Sequence, residues 1–162
     1  MLRQLTSAEV EQYTVDDPVR PHLSAKFRTT NGRQVWGLFD DSSLDPQAVI
    51  CVAYTDNIPT SELELDWFSG AGVRAEDTTA VFYTVWSYTK GSGRTIVNTL
   101  AQHIKQTRSK IAQWVTLSPL TDMAKQFHTK NGAQLRSVHD TCQVFDYTHL
   151  MLSPRAEQAR SA

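Results

Sequence analysis

The segment from Ala80 to Lys110 constrains this chain most. Ala80-Val81-Phe82-Tyr83-Thr84-Val85-Trp86-Ser87-Tyr88 carries β-branched or aromatic side chains at nearly every position, as a strand buried on both faces does. It runs into a glycine-containing loop, Thr89 to Gly93, and then into a stretch where Ile96, Val97, Leu100, Ala101 and Ile104 recur with helical spacing. That spacing predicts an amphipathic helix over Arg94 to Lys110. A strand, a tight glycine loop and a helix in this order make a crossover unit, and ligands of such layouts bind near the end of the strand that feeds the loop. Val85 and Ser87 are therefore candidate binding positions.

The other elements group around that unit. Ser7 to Tyr13 has a weak helix signal, and the Asp17-Pro18 and Arg20-Pro21 steps disfavour its continuation. Thr30 to Arg33 reads as a turn between Leu23–Arg28 and the strand-like Gln34–Phe39, and Asp40 to Pro46 as a second turn before Ala48–Tyr54, so the first half is expected to be a strand meander. After the long helix, Gln113–Leu117 predicts a strand, Thr121–Thr129 a helix ended by Asn131-Gly132, and Ala133–Val138 and Gln143–Tyr147 two more strands. The expected fold class is α+β, a central mixed, mostly antiparallel sheet flanked by helices. With no internal repeat, residues 1–152 are expected to form one domain, with a loose polar tail over residues 153–162. Trp36, Trp67, Trp86 and Trp114 read as core or pocket wall, and His139 and His149 as surface residues.

Composition excludes several function classes. Sixteen basic and seventeen acidic residues leave a net charge of −1, which gives no electrostatic reason to expect a nucleic-acid partner. The opening residues scatter charges without an apolar core, so neither a signal peptide nor a membrane anchor is expected, and the reading is cytoplasmic with no membrane partner. Cys51 and Cys142 are too few for a disulfide framework, and His139, Cys142 and His149 lack the paired spacing that fixes metal geometry, so no metal is expected.

Lys90-Gly91-Ser92-Gly93-Arg94-Thr95 has the makings of a pyrophosphate cradle. A helix start offers unpaired amide N–H groups and partial positive charge, glycines allow close approach, and Lys90 and Arg94 add neutralising charge. The loop lacks the GK[ST] end of a Walker A motif and the third glycine of a dinucleotide loop. It is similar to the phosphate loop of the GCN5-related N-acetyltransferase (GNAT) superfamily, in which Arg or Gln, two residues, Gly, one residue and Gly or Ala follow in order. Here Lys90, Gly93 and Thr95 take those places, with Lys and Thr as departures.

Two further motifs sharpen the resemblance. Thr116-Leu117-Ser118-Pro119 and Phe127-His128-Thr129-Lys130-Asn131-Gly132-Ala133 resemble the TLSP and FHxxNGA motifs of malonyl-CoA decarboxylase, whose catalytic domain has the GNAT fold. The similarity covers roughly residues 33–149, about one compact domain. It implies Ser118 and His128 as catalytic residues, Tyr147 of the final strand as a third candidate, and a coenzyme A thioester, malonyl-CoA or acetyl-CoA, as substrate with no tightly bound cofactor. His128 is expected to supply a proton near neutral pH and Ser118 to hydrogen-bond the carboxylate or the developing oxyanion. The decarboxylase family carries an added helical domain and a long insert between the two motifs, whereas here a short helix separates them. Three functions follow: a malonyl-CoA decarboxylase-like lyase, an N-acetyltransferase using a base such as Glu62 or Asp66 on an unidentified amine, or a non-catalytic GNAT-fold binding protein. A homodimer is left open by the sequence.

Overall fold

A computed structural model describes residues 1–70 and 76–152; the expected tail over 153–162 lies outside the described residues. The strands are β1 Leu2–Gln4, β2 Gln34–Leu38, β3 Ala48–Thr55, β4 Thr79–Ser87, β5 Gln113–Thr116, β6 Ser118–Pro119, β7 Gln134–Val138 and β8 Cys142–Asp146. The helices are α1 Ser7–Thr14, α2 Ala25–Thr29, α3 Glu62–Ser69, α4 Ser92–Thr107, α5 Asp122–Lys130 and α6 Thr148–Leu152. The strands form a sheet ordered β1-β2-β3-β4-β5-β8-β6, with β7 also paired to β8. Its β4–β5 pairing is parallel and the rest are antiparallel, the mixed arrangement expected.

The sheet is covered on both sides. The apolar stripe of α4, Ile96, Val97, Leu100, Ala101 and Ile104, packs with Ile50, Val52, Phe82 and Trp114 on one face. Val10 of α1 and Leu65 of α3 join Val49, Cys51, Val81 and Val115 on the other. Every residue of β3 is buried, so this strand supplies both cores.

Three expectations change. Leu23–Arg28 is not a strand: Ser24 caps α2 by accepting from the Phe27 amide, and the helix carries Arg28 inward to a fully buried site. Helix α3 was not foreseen, although Ser61 followed by Glu64 is a helix-start signature, and the Ser61 hydroxyl does accept from the Glu64 amide. Trp67, on that helix, is 75% exposed and does not belong to the core, whereas Trp86 and Trp114 are buried.

Two features of the sheet create the site. The β3–β4 register passes from Cys51↔Thr84 to Val52↔Phe82, leaving Tyr83 as the extra residue of a bulge. Parallel β4–β5 pairing ends at Phe82↔Thr116, with Leu117 N–H still donating to the Phe82 carbonyl at 3.0 Å. Beyond that point β4 continues to Ser87 while Ser118-Pro119 turns to pair with β8, so the two strands part.

Candidate functional site

Where β4 and β6 separate lies a cavity of about 340 Å³. One wall is β4 from Phe82 to Ser87, continued by Gly93 and Val97 of α4; the opposite wall is Leu117-Ser118-Pro119 with Phe127 and His128 of α5. Pro18, Val19 and Arg20 close a third side. That segment is held from within. Asp17 accepts from the amides of Val19 at 2.8 Å and Arg20 at 2.9 Å, and its other oxygen pairs with Arg28 at 2.9 Å, both side chains fully buried. Arg28 also donates to the Arg20 carbonyl at 2.6 Å, so removing either partner would leave an uncompensated buried charge beneath the cavity wall.

The expected phosphate loop adjoins this cavity. Val85, Ser87 and Gly93 line it, while Lys90, Gly91, Ser92, Arg94 and Thr95 form the adjoining turn and first helical turn. Gly91 takes a left-handed conformation (φ 82°) as the N-cap of α4, and no side chain caps that helix. Among the described residues the amides of Gly93 and Arg94 form no backbone hydrogen bond, and Lys90 and Arg94 are exposed beside them, the arrangement that suits an anion. Gly93 needs no positive φ; its role is close approach, since a Cβ there would stand 3.3 Å from Phe127 and 3.7 Å from the Ser87 Cβ. The Ser92 hydroxyl is engaged within the loop, donating toward the carbonyls of Gln47 (2.8 Å) and Thr89 (2.7 Å).

The motif residues converge on the β6 and α5 side of the cavity. Ser118 and His128 both line the cavity, 3% and 6% exposed. Tyr147 does not reach it: it is fully buried behind His128, its hydroxyl 2.7 Å from His128 Nδ1 and accepting from Asn131 Nδ2 at 3.3 Å. Phe145 stacks on the imidazole at 5.1 Å and 27°, and Phe127 meets it edge-on at 5.0 Å. The motif's Asn-Gly ends α5 and turns the chain back, so that the Ala133 amide donates to the His128 carbonyl at 3.0 Å. Ser118 Oγ lies 2.7 Å from Thr116 Oγ1, which accepts from the Phe145 amide at 3.2 Å. Arg20 donates to Glu62 at 2.8 Å and to the bulged Tyr83 carbonyl, bridging toward Cys142 Sγ at 3.9 Å.

Burial changes the protonation expected of His128. Desolvation pulls its pKa from 6.5 down to about 4, so in the ligand-free protein the imidazole is neutral at pH 7 rather than titrating there. Burial pushes the Tyr147 phenol up to about 12. Between pH 6.5 and 4 the unfolded chain binds a proton at His128 that the folded one refuses, so stability falls as pH drops through this window, by on the order of 3 kcal/mol. Urea denaturation across this range should show a flatter acid limb in His128→Phe; an unchanged limb would place the titration elsewhere.

Arg20, Thr116 and Asn131 were not singled out by sequence reasoning. Asn131 and Thr116 both stood in quoted motifs, Asn131 read only as a helix stop and Thr116 given no role, and nothing in local spacing marks Arg20. The candidate bases Glu62 and Asp66 do not line the cavity; Glu62 is held by Arg20 and by His22 at 2.9 Å. Among the described residues no cluster of three His, Cys, Asp or Glu stands ready for a metal, and no helix is long and apolar enough to cross a membrane.

The chain has the GNAT fold, a class of architecture whose known members carry out different reactions. Malonyl-CoA decarboxylase from Agrobacterium vitis superposes with a TM-score of 0.63 at 20% identity, covering 84% of this chain but 38% of that one. Two other decarboxylases of that name are covered to 33% of their length, so this chain spans well under half of those proteins. The GphF GNAT-like decarboxylase in complex with isobutyryl-CoA has a TM-score of 0.68 at 11% identity, with 90% of this chain and 97% of that one aligned. Arabidopsis thaliana NAA60 in complex with acetyl-CoA has a TM-score of 0.60 at 13% identity over 91% and 97%. No protein-family model and no curated protein matches the chain.

Proposed function

We propose that this protein is an acyl-CoA-binding enzyme that converts malonyl-CoA to acetyl-CoA and CO2. One observation carries the reading: the cavity brings the Ser118 hydroxyl and the His128 imidazole together opposite the bulged strand, and among the described residues no carboxylate lines it. Such a site suits a reaction that needs hydrogen-bond donors for a developing anion better than one that needs a base to deprotonate an amine. The uncapped start of α4, with Lys90 and Arg94 beside it, would receive the pyrophosphate, and the parted strands would receive the pantetheine arm and thioester.

In the reaction the bond between the α-carbon and the carboxylate breaks, CO2 leaves, and the electron pair remains as a thioester enolate. Ser118 and His128 donate hydrogen bonds to the enolate oxygen, and the α-carbon takes its proton from water. A neutral imidazole serves this role as a donor without first being ionised, which fits the burial of His128. Binding of CoA-linked substrates is supported by the GphF and NAA60 complexes, and loss of CO2 by the decarboxylase likenesses.

The test is incubation of the purified protein with malonyl-CoA and no acceptor, followed by mass spectrometry. Acetyl-CoA should accumulate with turnover. Intact malonyl-CoA, alongside acetylation of an added amine from acetyl-CoA, would replace decarboxylation by acyl transfer.

A further inference from the structure

The hydrogen bonds behind Ser118 and His128 have a direction, and that direction decides what the cavity offers a ligand. A carboxamide nitrogen can only donate, so at the 3.3 Å contact Asn131 Nδ2 gives its hydrogen to the Tyr147 oxygen. Tyr147 is fully buried, and among the described residues the one acceptor beside its hydroxyl is His128 Nδ1, 2.7 Å away. Were Nδ1 to hold the imidazole hydrogen, the Tyr147 hydrogen would have no acceptor in a dry interior. The tyrosine therefore donates to Nδ1, and the hydrogen of the neutral ring sits on Nε2, the nitrogen left for the cavity.

The same logic runs through Ser118. The Phe145 amide can only donate, and it donates to Thr116 Oγ1 at 3.2 Å. Thr116 is buried and, among the described residues, its hydroxyl has no acceptor other than Ser118 Oγ at 2.7 Å, so the Thr116 hydrogen goes there and the Ser118 hydrogen is left to face the cavity. Two separate chains thus start at an amide N–H that has no choice of role, pass through one buried hydroxyl each, and end as a donor at the same cavity.

We infer that Asn131 and Thr116 are positioning residues that set His128 and Ser118 as a pair of hydrogen-bond donors, making their side of the cavity a receptor for an acyl oxyanion and unfit to act as a base. This deepens the proposed decarboxylation and rests on its assignment of His128 and Ser118 to the substrate. Neither positioning residue touches the ligand; each acts through its neighbour.

The wiring is measurable without any substrate. In protein carrying ¹⁵N-histidine, long-range ¹H–¹⁵N correlation at neutral pH reports which ring nitrogen holds the hydrogen, with His128 assigned by the loss of its signals in His128→Phe. The expected result is a protonated Nε2 and a hydrogen-bond-accepting Nδ1. Asn131→Asp replaces the obligate donor by an acceptor, so the Tyr147 hydrogen turns to the new carboxylate and His128 moves its own hydrogen to Nδ1. With that switch, kcat on malonyl-CoA should drop by on the order of 10²-fold at little-changed KM. An Nδ1-protonated wild-type ring, or a folded Asn131→Asp protein with the tautomer unmoved, overturns the inference. A correct tautomer in a protein that leaves malonyl-CoA intact keeps the wiring and sinks only the proposed reaction.

Discussion

His128→Ala is expected to slow acetyl-CoA formation from malonyl-CoA by about 10²–10⁴-fold while leaving CoA affinity within about twofold. The two effects separate because His128 belongs to α5, whereas Ser87, Gly93 and the uncapped start of α4 belong to the β4-loop-α4 unit. Truncation also opens space between Phe127, Phe145 and Tyr147, so His128→Phe is the better control for packing: it refills the ring volume and can restore the stack on Phe145. Both variants should lose turnover, as measured by steady-state release of acetyl-CoA, with calorimetry reporting CoA binding. His128→Gln adds a distinction, since its amide can still donate a hydrogen bond but cannot transfer a proton. Partial retention of rate by His128→Gln would match a neutral donor, and equal loss in all three would require proton transfer from the ring itself. Full activity in His128→Phe would remove His128 from the reaction.

The neutral state of that histidine was out of reach of sequence reading, and the reason is physical. Local pattern identifies His128 as a polar residue near a helix end, where a partly solvated imidazole would titrate near 6.5. Its burial comes from elements brought together by the fold, with Phe145 and Tyr147 of the last strand segment packed against it, and desolvation by such neighbours has no local spacing to betray it. By contrast, the β4-loop-α4 unit was legible because its signals are local: a run of β-branched and aromatic residues, two glycines, and an apolar stripe at helical spacing. The bulge at Tyr83 and the parting of β4 from β6 leave no such trace, since register depends on what each strand pairs with. Arg20 illustrates the same limit. It reaches the cavity because the distant Arg28 and its neighbour Asp17 fold the segment inward through a buried ion pair, and an arginine beside prolines reads as surface loop until that pair is seen.

Ser118→Ala is expected to lower kcat for decarboxylation by about 10²–10³-fold, the usual effect of deleting one donor from an oxyanion site, with KM changed far less. The effect falls on the transition state because the enolate oxygen carries more charge than the ground-state thioester carbonyl, so a donor gains most where the charge has developed. The substitution has a structural consequence too. It leaves the buried Thr116 hydroxyl without its acceptor, which should cost about 1–3 kcal/mol in unfolding free energy. Stability and rate therefore have to be read together. If Ser118 served only to satisfy Thr116, urea denaturation would show the loss while kcat at a temperature well below the transition stayed within about threefold of wild type. Comparison with any acetyl transfer from acetyl-CoA sharpens the result, because that reaction forms no enolate. A Ser118→Ala penalty confined to malonyl-CoA ties the hydroxyl to the loss of CO2, whereas equal penalties on both substrates would assign it to the thioester carbonyl they share.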